Sequence, residues 1–423
     1  MSLTPNVPDP QHLRSILDRY QPNLPQWAQF YRDLHTDPDI SGMEANTAKQ
    51  VASQLERLGY KVYSMIGGHG VVGVLRNGSG KTVLIRAELD ALPMLEQTNL
   101  EYRSRRRMKD RHGNEHPVMH SCGHDMHMAV LLAAADLLDR AAEHWTGTLM
   151  MVFQPDAKEG RGAEAMVNGG LYQICGSRVP DLVPDLMLAQ HLSPAPAGTL
   201  EIRSGLVQPI ADVFDIRVYG GYRGNVKHSN LYIDPIPLSM RIVSELQEAI
   251  TSKIGTKEFA TVKCRRFDIG KPDNENIPYA DILLVIHTVK DDIRSSVLQL
   301  VKDKFRTDCQ NAMVPRNPNV LHTARAPLMS NDDAIALPVR KVFRDYFGKN
   351  AFKANYTQSL ARGCDDDFST LGAAHNVPYA YYQRIAQTRP AGLHSPLFAP
   401  DIDATLKTGT YAMALAVLTF LAK

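Results

Sequence analysis

Apolar residues recur at helical spacing through residues 11–36, where Leu13, Ile16, Leu17, Trp27, Phe30, Tyr31 and Leu34 predict one helix ended by Pro38. A second helix is expected from about Glu44 to Leu58, with Val51, Leu55 and Leu58 on one face and Gly59 as its stop. Short apolar runs then predict strands at residues 61–64, 71–75 and 82–87. The last of these runs into Glu88-Leu89-Asp90-Ala91-Leu92-Pro93, and acidic residues at the carboxyl end of a buried strand are well placed to face a site. Residues 97–119 are polar and basic and read as a surface loop. Residues 126–142, rich in Ala and Leu, predict a strong helix. Strands are expected at 148–153 and 186–190, the second ending at His191, with a short helix at 163–169 between them. Strands alternating with helices argue an α/β sheet covered on both faces.

Near residue 207 the pattern changes. Residues 213–218 alternate as a strand, 236–251 form an amphipathic helix, 282–289 a strand and 291–312 a helix. From about Pro327 the first pattern returns, with a helix at 333–347, an acidic turn at Cys364-Asp365-Asp366-Asp367, a strand at 379–382 and a final apolar helix at 408–421. This order fits a discontinuous α/β domain (residues 1–207 and 322–423) into which a smaller α+β domain (residues 208–321) is inserted.

The length of 423 residues favours two domains over a single core. Hydrophobic content of 44% and charged content of 22% are those of a soluble globular protein, and a net charge of +2 without a basic stripe argues against a nucleic-acid partner. Cys122, Cys175, Cys264, Cys309 and Cys364 are scattered and odd in number, which favours a reducing compartment, read as cytoplasmic, over a disulfide framework. The first ten residues carry no signal pattern, and no run is expected to reach the apolar length of a membrane span.

Chemistry concentrates at His120-Ser121-Cys122-Gly123-His124-Asp125-Met126-His127, three histidines, one cysteine and one aspartate within eight residues. This is the composition of a metal site. Cys122 and His124 are spaced to face one ion, His191 follows a predicted strand, and His394 precedes the last helix. Asp90 and Asp125 are candidates to orient ring nitrogens. Each of these groups taken singly also reads as polar packing. The acidic turn at Asp365–Asp367 reads as solvated or capping. The basic run Arg103–Arg111 reads as a solvated loop, with greeting of an acidic substrate as the lesser alternative. Gly67-Gly68-His69-Gly70 is too short for a phosphate loop.

Over nearly its whole length the chain resembles the metallopeptidase family that includes bacterial aminoacylases, hippurate hydrolase and plant auxin-conjugate amidohydrolases. The marks are Asp33-Leu34-His35-Thr36-Asp37-Pro38, Arg86-Ala87-Glu88-Leu89-Asp90-Ala91-Leu92-Pro93, the His120–His127 cluster, Phe153-Gln154-Pro155, Gly162-Ala163-Glu164-Ala165-Met166, Asp234-Pro235, Asp366-Asp367-Phe368 and Leu393-His394-Ser395-Pro396. The resemblance implies a zinc-exopeptidase-like mixed sheet flanked by helices, with an inserted ferredoxin-like lid that often dimerises. It implies two divalent metals and hydrolysis of N-acyl amino acids. Cys122 would bridge the metals, His124 and His191 would complete one position, and His394 with a glutamate would complete the other.

The chain departs from that pattern at the glutamates. In the Gln-Pro-x-Glu-Glu stretch the general base falls on Ala157 and the metal ligand on Lys158. An ammonium about 4 Å from a dication opposes it by roughly 8 kcal/mol at an effective dielectric near 20. Lys158 then stands where the metal's charge would be, and Glu159 replaces the missing ligand only if the loop shifts register. The lid histidine that polarises the substrate carbonyl falls on Asn225, with His228 as a nearby substitute. At most one divalent metal, zinc or manganese, is therefore expected, and two only if Glu159 steps in. Three readings follow: a pocket repurposed to non-hydrolytic chemistry (condensation, cyclisation or rearrangement) on an amide- or amino-acid-like small molecule, with Lys158 as acid, base or anion anchor; a metal-dependent hydrolase of N-acyl amino acids or related amides; and a non-catalytic binding protein. The first is the main expectation, with Lys158, Asn225, Asp90, Glu159 and His228 as the candidate catalytic groups. The partner is a small molecule, with no nucleic acid, no membrane and a possible homodimer through the lid.

Overall fold

A computed structural model of the protein describes residues 8–111, 113–174, 181–193, 198–222, 232–270, 278–351, 366–385 and 391–423. The chain divides into two compact units, one built from residues up to Val207 and from Met329 onward, the other from Gln208–Leu328.

In the first unit a seven-stranded mixed sheet runs in the order Lys61–Ile66, Gly70–Asn77, Gly147–Gln154, Thr82–Glu88, Leu186–Ser193, Tyr379–Ile385, Thr199–Glu201. Its centre is parallel: Thr82–Glu88 pairs in parallel with both Gly147–Gln154 and Leu186–Ser193, and Tyr379–Ile385 continues that direction. These strands are buried along nearly every residue, as a sheet covered on both faces requires. Antiparallel strands close both edges.

Two helices form the heart of one covering layer. His124–Arg140 is buried on almost all sides and packs against Leu24–Thr36 and Ile402–Leu421. Ile402–Leu421 is the one helix among the described residues whose length and hydropathy suit a membrane span, contrary to the expectation of no such run. Most of its apolar stretch is buried inside the fold, however, which marks it as a core helix that is apolar all round because protein surrounds it.

The first predicted helix is two helices, Pro10–Arg19 and Leu24–Thr36. Periodicity ran through the break, but Pro22 and Pro25 interrupt the ladder, and the side chain of Asn23 caps the second helix by accepting from the Gln26 amide. Residues 97–119 are not simply a solvated loop. They fold a small hairpin, Arg107–Lys109 with Glu115–Pro117, and bury Thr98 and Ser104. Arg106 leaves solvent to pair with Asp37 and Asp39.

The second unit is a four-stranded antiparallel sheet in the order Ala260–Gly270, Tyr279–Thr288, Ile210–Tyr219, Asn319–Ala326, backed by helices Pro235–Ile254 and Asp291–Asn311. Both strand–helix pairs expected from the sequence are present. The two outer strands were not anticipated, because Ala260–Gly270 and Asn319–Ala326 lie at the sheet's edges and carry many exposed polar residues. A groove of about 650 Å³ between the two helices is lined by Lys253, Ser296, Leu300, Asp303 and Lys304, without a cluster of ligand-type side chains.

Candidate metal and active site

Three parallel strands deliver their carboxyl ends to one place in the first unit. Glu88 and Gln154 are register partners at the ends of adjacent strands, and His191 lies two residues before the end of the third. The helix His124–Arg140 begins two residues earlier than periodicity suggested, which puts His124 and His127 on one face of its first turn. Gly123 makes that start possible. Its φ of +77° is in the left-handed region, and a Cβ there would collide with Leu192.

The hydrogen bonds fix the imidazole tautomers. His124 Nδ1 lies 2.8 Å from the Asp90 carbonyl oxygen and 3.0 Å from its carboxylate. A carbonyl only accepts, so Nδ1 carries the proton and Nε2 presents its lone pair. That Nε2 is buried with no hydrogen-bond partner among the described residues. His191 Nδ1 likewise donates to the Leu192 carbonyl (2.6 Å), leaving Nε2 to face Cys122 Sγ at 3.5 Å. His127 differs: its Nε2 accepts from the Leu192 amide at 3.0 Å and its Nδ1 donates to Glu88 at 2.8 Å. Burial, only partly opposed by Glu88, pushes His127 down to about 3, so the ring is neutral.

Charge is balanced by buried neighbours. Burial alone would raise Glu88, but the Arg86 guanidinium outweighs it and holds the carboxyl well below its usual range. Burial would also raise Asp90; the hydrogen bond and charge of His124, joined by Lys158 and Ser41, hold it at about 2. Arg86, fully buried, pairs with both Glu88 and Asp366. Asp366 and Asp367 are therefore buried; of the two readings the sequence left open for this turn, solvated or capping, the first does not hold, while Asp366 Oδ1 does accept from the Phe368 amide at 2.9 Å. Burial and the Asp366 charge push Asp367 up to about 7, while it accepts from Gln154 Nε2 (2.6 Å) and the Ala163 amide (3.0 Å). Asp125 does not orient the metal-side histidines. It holds His35 Nδ1 at 2.7 Å, and His35 Nε2 meets Glu96 at 3.2 Å.

Cys122 is the hub. Its sulfur is 2.8 Å from Lys158 Nζ, 3.2 Å from His394 Nε2 and 3.5 Å from His191 Nε2. Lys158 is fixed at its backbone too, where its amide donates to Asp90 Oδ2 at 2.8 Å. His394 adopts φ +63°, a conformation a non-glycine residue rarely takes, and strain of this kind concentrates at working sites.

Among the candidates named from sequence, Cys122, His124, His191, His394, Lys158 and Asp90 converge. Glu159 does not. Its side chain is half exposed and faces Arg111 (3.4 Å) and Arg161 (3.6 Å), so the register shift that would bring it to an ion is absent. The loop keeps its register because Asp90 binds the Lys158 amide and turns Lys158, not Glu159, inward. Asn225 and His228 lie outside the described residues. Glu88 and His127 lie in stretches the sequence singles out, but neither was named there as a ligand. The signal was present: His127 follows His124 by three on a helix, and Glu88 precedes Asp90 by two at a strand end.

The donor set fits one divalent ion. Ligand atoms of Glu88, His124, His127 and His191 lie within 4.8 Å of one another, and the imidazole nitrogens whose lone pairs face this place are Nε2 of His124 and His191, the latter 3.5 Å from the Cys122 sulfur. His124 is held through Nδ1 by a carboxylate, the usual support of a metal-binding imidazole. Beside it, the Lys158 amine and His394 Nε2 both reach the Cys122 sulfur, and an amine that carries its proton has no lone pair to give a further ion.

Comparisons with known proteins agree with this architecture. Hippurate hydrolase from Campylobacter jejuni is 30% identical over 369 residues, covering 85% of this chain and 88% of the relative. IAA-amino acid hydrolase ILR1-like 2 from Arabidopsis thaliana is 28% identical, covering 90% and 82%. The fold matches that of the Bacillus subtilis YXEP protein, described as a dinuclear metal binding peptidase, with a TM-score of 0.68, 23% identity and coverage of 94% and 98%. The profile of Peptidase family M20/M25/M40 matches residues 84–419, and the chain belongs to that family of metal-dependent amidohydrolases and peptidases.

Proposed function

We propose that this protein acts on the amide bond of small N-acyl amino acids or related conjugates, with one divalent ion at Cys122, His124 and His191 and with the Lys158 amine in place of a second ion. The observation that carries the reading is the 2.8 Å contact between Lys158 Nζ and Cys122 Sγ. Hydrolysis is the reaction the relatives favour, since two of them are named for hippurate and for IAA–amino acid conjugates, both acyl groups joined to an amino acid.

A bound divalent ion supplies Lewis-acid polarisation of a carbonyl. The chain's own residues do the rest. Asp90 keeps His124 in the tautomer that offers Nε2. Lys158, when protonated, places a positive charge where an oxyanion or a substrate carboxylate would gather. His394 and Lys158 are the titratable groups at Cys122 that can hold or pass a proton on the open side. The carboxylates that touch the cluster, Glu88 and Asp90, are already engaged by Arg86, His127, His124 and Lys158.

That engagement, with a methyl group at Ala157, supports a second reading in which the pocket performs a non-hydrolytic reaction on a similar small molecule. Water activation is weak there, which suits a reaction that water would spoil. The two readings separate when purified protein is given hippurate and N-acetyl amino acids with zinc or manganese. Slow amino-acid release, abolished by chelation, supports hydrolysis. No release from metal-loaded protein favours the second reading, and failure to bind any ion sinks both.

The same proposal assigns residues 208–321 as a lid and dimerisation domain, to be read from the mass in solution. It also places the protein in the cytoplasm, a location consistent with Cys122, Cys264 and Cys309 standing outside any disulfide.

A further inference from the structure

The Lys158 amine reaches Cys122 because the loop before it takes an unusual turn, and that turn has an external brace. Asp156 sits at φ +50°, left-handed and not a glycine. Its carbonyl accepts from the Arg161 and Gly162 amides, both at 3.3 Å, which closes the loop on itself. Its own amide is held from outside by Glu44 Oε1 at 2.8 Å, and the same oxygen accepts from the Gly42 amide at 2.6 Å. Three residues before Glu44, the hydroxyl of Ser41 donates to Asp90 Oδ2 at 2.6 Å, the oxygen that also takes the Lys158 amide. One short segment, residues 41–44, thus grips the loop at Asp156 and, through Asp90, at Lys158.

Glu44 is fully buried, and its Oε2 has no hydrogen-bond partner among the described residues. Burial, then the charge of Asp90, pushes its carboxyl up to about 8, so the side chain at neutral pH is the uncharged acid. An uncharged acid can accept two amide protons on its carbonyl oxygen without adding a second anion beside Asp90.

We propose that Glu44 is a positioning residue for Lys158: by holding the Asp156 amide it sets the turn that delivers the lysine amine to Cys122. This rests on Lys158 belonging to the working site, but the hold itself needs neither substrate nor ion to be observed. The test is amide hydrogen exchange, resolved at residues 155–161, in the unaltered protein and in Glu44→Gln and Glu44→Asp. Gln keeps the accepting oxygen at the same reach and mimics the neutral acid. Asp keeps the acid but falls one methylene short of the Asp156 amide. In Glu44→Asp the Asp156 and Lys158 amides exchange at least tenfold faster, although Glu44 never touches the second of them, while amides of the helix Ile402–Leu421 keep their rates. In Glu44→Gln all of these stay within about threefold of the unaltered protein. Unchanged exchange at Lys158 in Glu44→Asp overturns the proposal, as does Glu44→Gln loosening the loop to the same degree. Should Glu44→Asp lose its fold, the Gln variant alone still decides, because a loosened loop there contradicts the brace. Failure of the functional reading would show separately, as amide-bond activity indifferent to Lys158→Met.

Discussion

The amine of Lys158 lies 2.8 Å from the sulfur of Cys122, and its own backbone amide is tied to Asp90. A flexible, partly buried residue is thereby tied at both ends. A lysine amine is costly to bury unless something receives it, and here the hub of the site receives it. On the proposed reading, the charge brought by the chain and the charge of a second metal compete for one place.

Glu159 provides a control on that register. It is half exposed and, among the described residues, pairs with Arg111 and Arg161, contacts that contribute little at a surface. Glu159→Gln is expected to leave metal content unchanged and to shift stability by no more than about 0.5 kcal/mol. Loss of the ion in this variant, measured by elemental analysis, would mean that Glu159, not Lys158, faces the ion.

His35 carries a different load. Burial lowers its pKa, but hydrogen bonds to Asp125 and Glu96 prevail and raise it to about 9. A raised histidine stabilises the fold fully below its unfolded value near 6.5, and that stabilisation fades as pH climbs through 9. His35→Ala strands two buried carboxylates and should cost about 3–5 kcal/mol, more at pH 6 than at pH 10. Denaturant unfolding at the two pH values checks both the size and the trend; an equal deficit at both would contradict the charged pair.

Glu44 predicts an opposite kind of pH dependence. Its folded value of about 8 lies above the ordinary 4.5, so between those values the folded state keeps a proton that the unfolded chain has released. Stability contributed by this group therefore falls as pH rises through that window, by at most about 1.4 kcal/mol per pH unit, and the loss is complete above 8. Glu44→Gln removes the dependence. The melting temperature of the variant, compared with the unaltered protein at pH 5 and at pH 8.5, should gain at the higher pH; parallel shifts at both would show that Glu44 is already ionised.

Much of the site could be read from residue types, because metal chemistry restricts them. Cys122, His124, His191 and His394 were recognisable as donors from spacing and resemblance, and the side of the chain on which Lys158 falls followed from counting between Gln154-Pro155 and Gly162-Ala163. What escaped were contacts between distant segments. Nothing local says that Asp366 pairs with Arg86, 280 residues away, or that Asp125 serves His35 and not His124. The acidic turn looked solvated because composition cannot show that a guanidinium lies buried beneath it. The fold's layers were legible from alternating strand and helix periodicity, whereas the break at Pro22 and the edge strands of the second unit were not. In the first case the apolar rhythm continued past the interruption. In the second, exposed edge strands lack the apolar face that periodicity detects.

The central claim is that a lysine holds the second cation's place, and counting ions tests it most directly. Purified protein is stripped, reloaded with excess zinc or manganese, desalted and analysed for metal per chain, beside the double variant Ala157→Glu, Lys158→Glu. We expect about one ion per chain in the unaltered protein and two in the variant. Two ions in the unaltered protein would contradict the account.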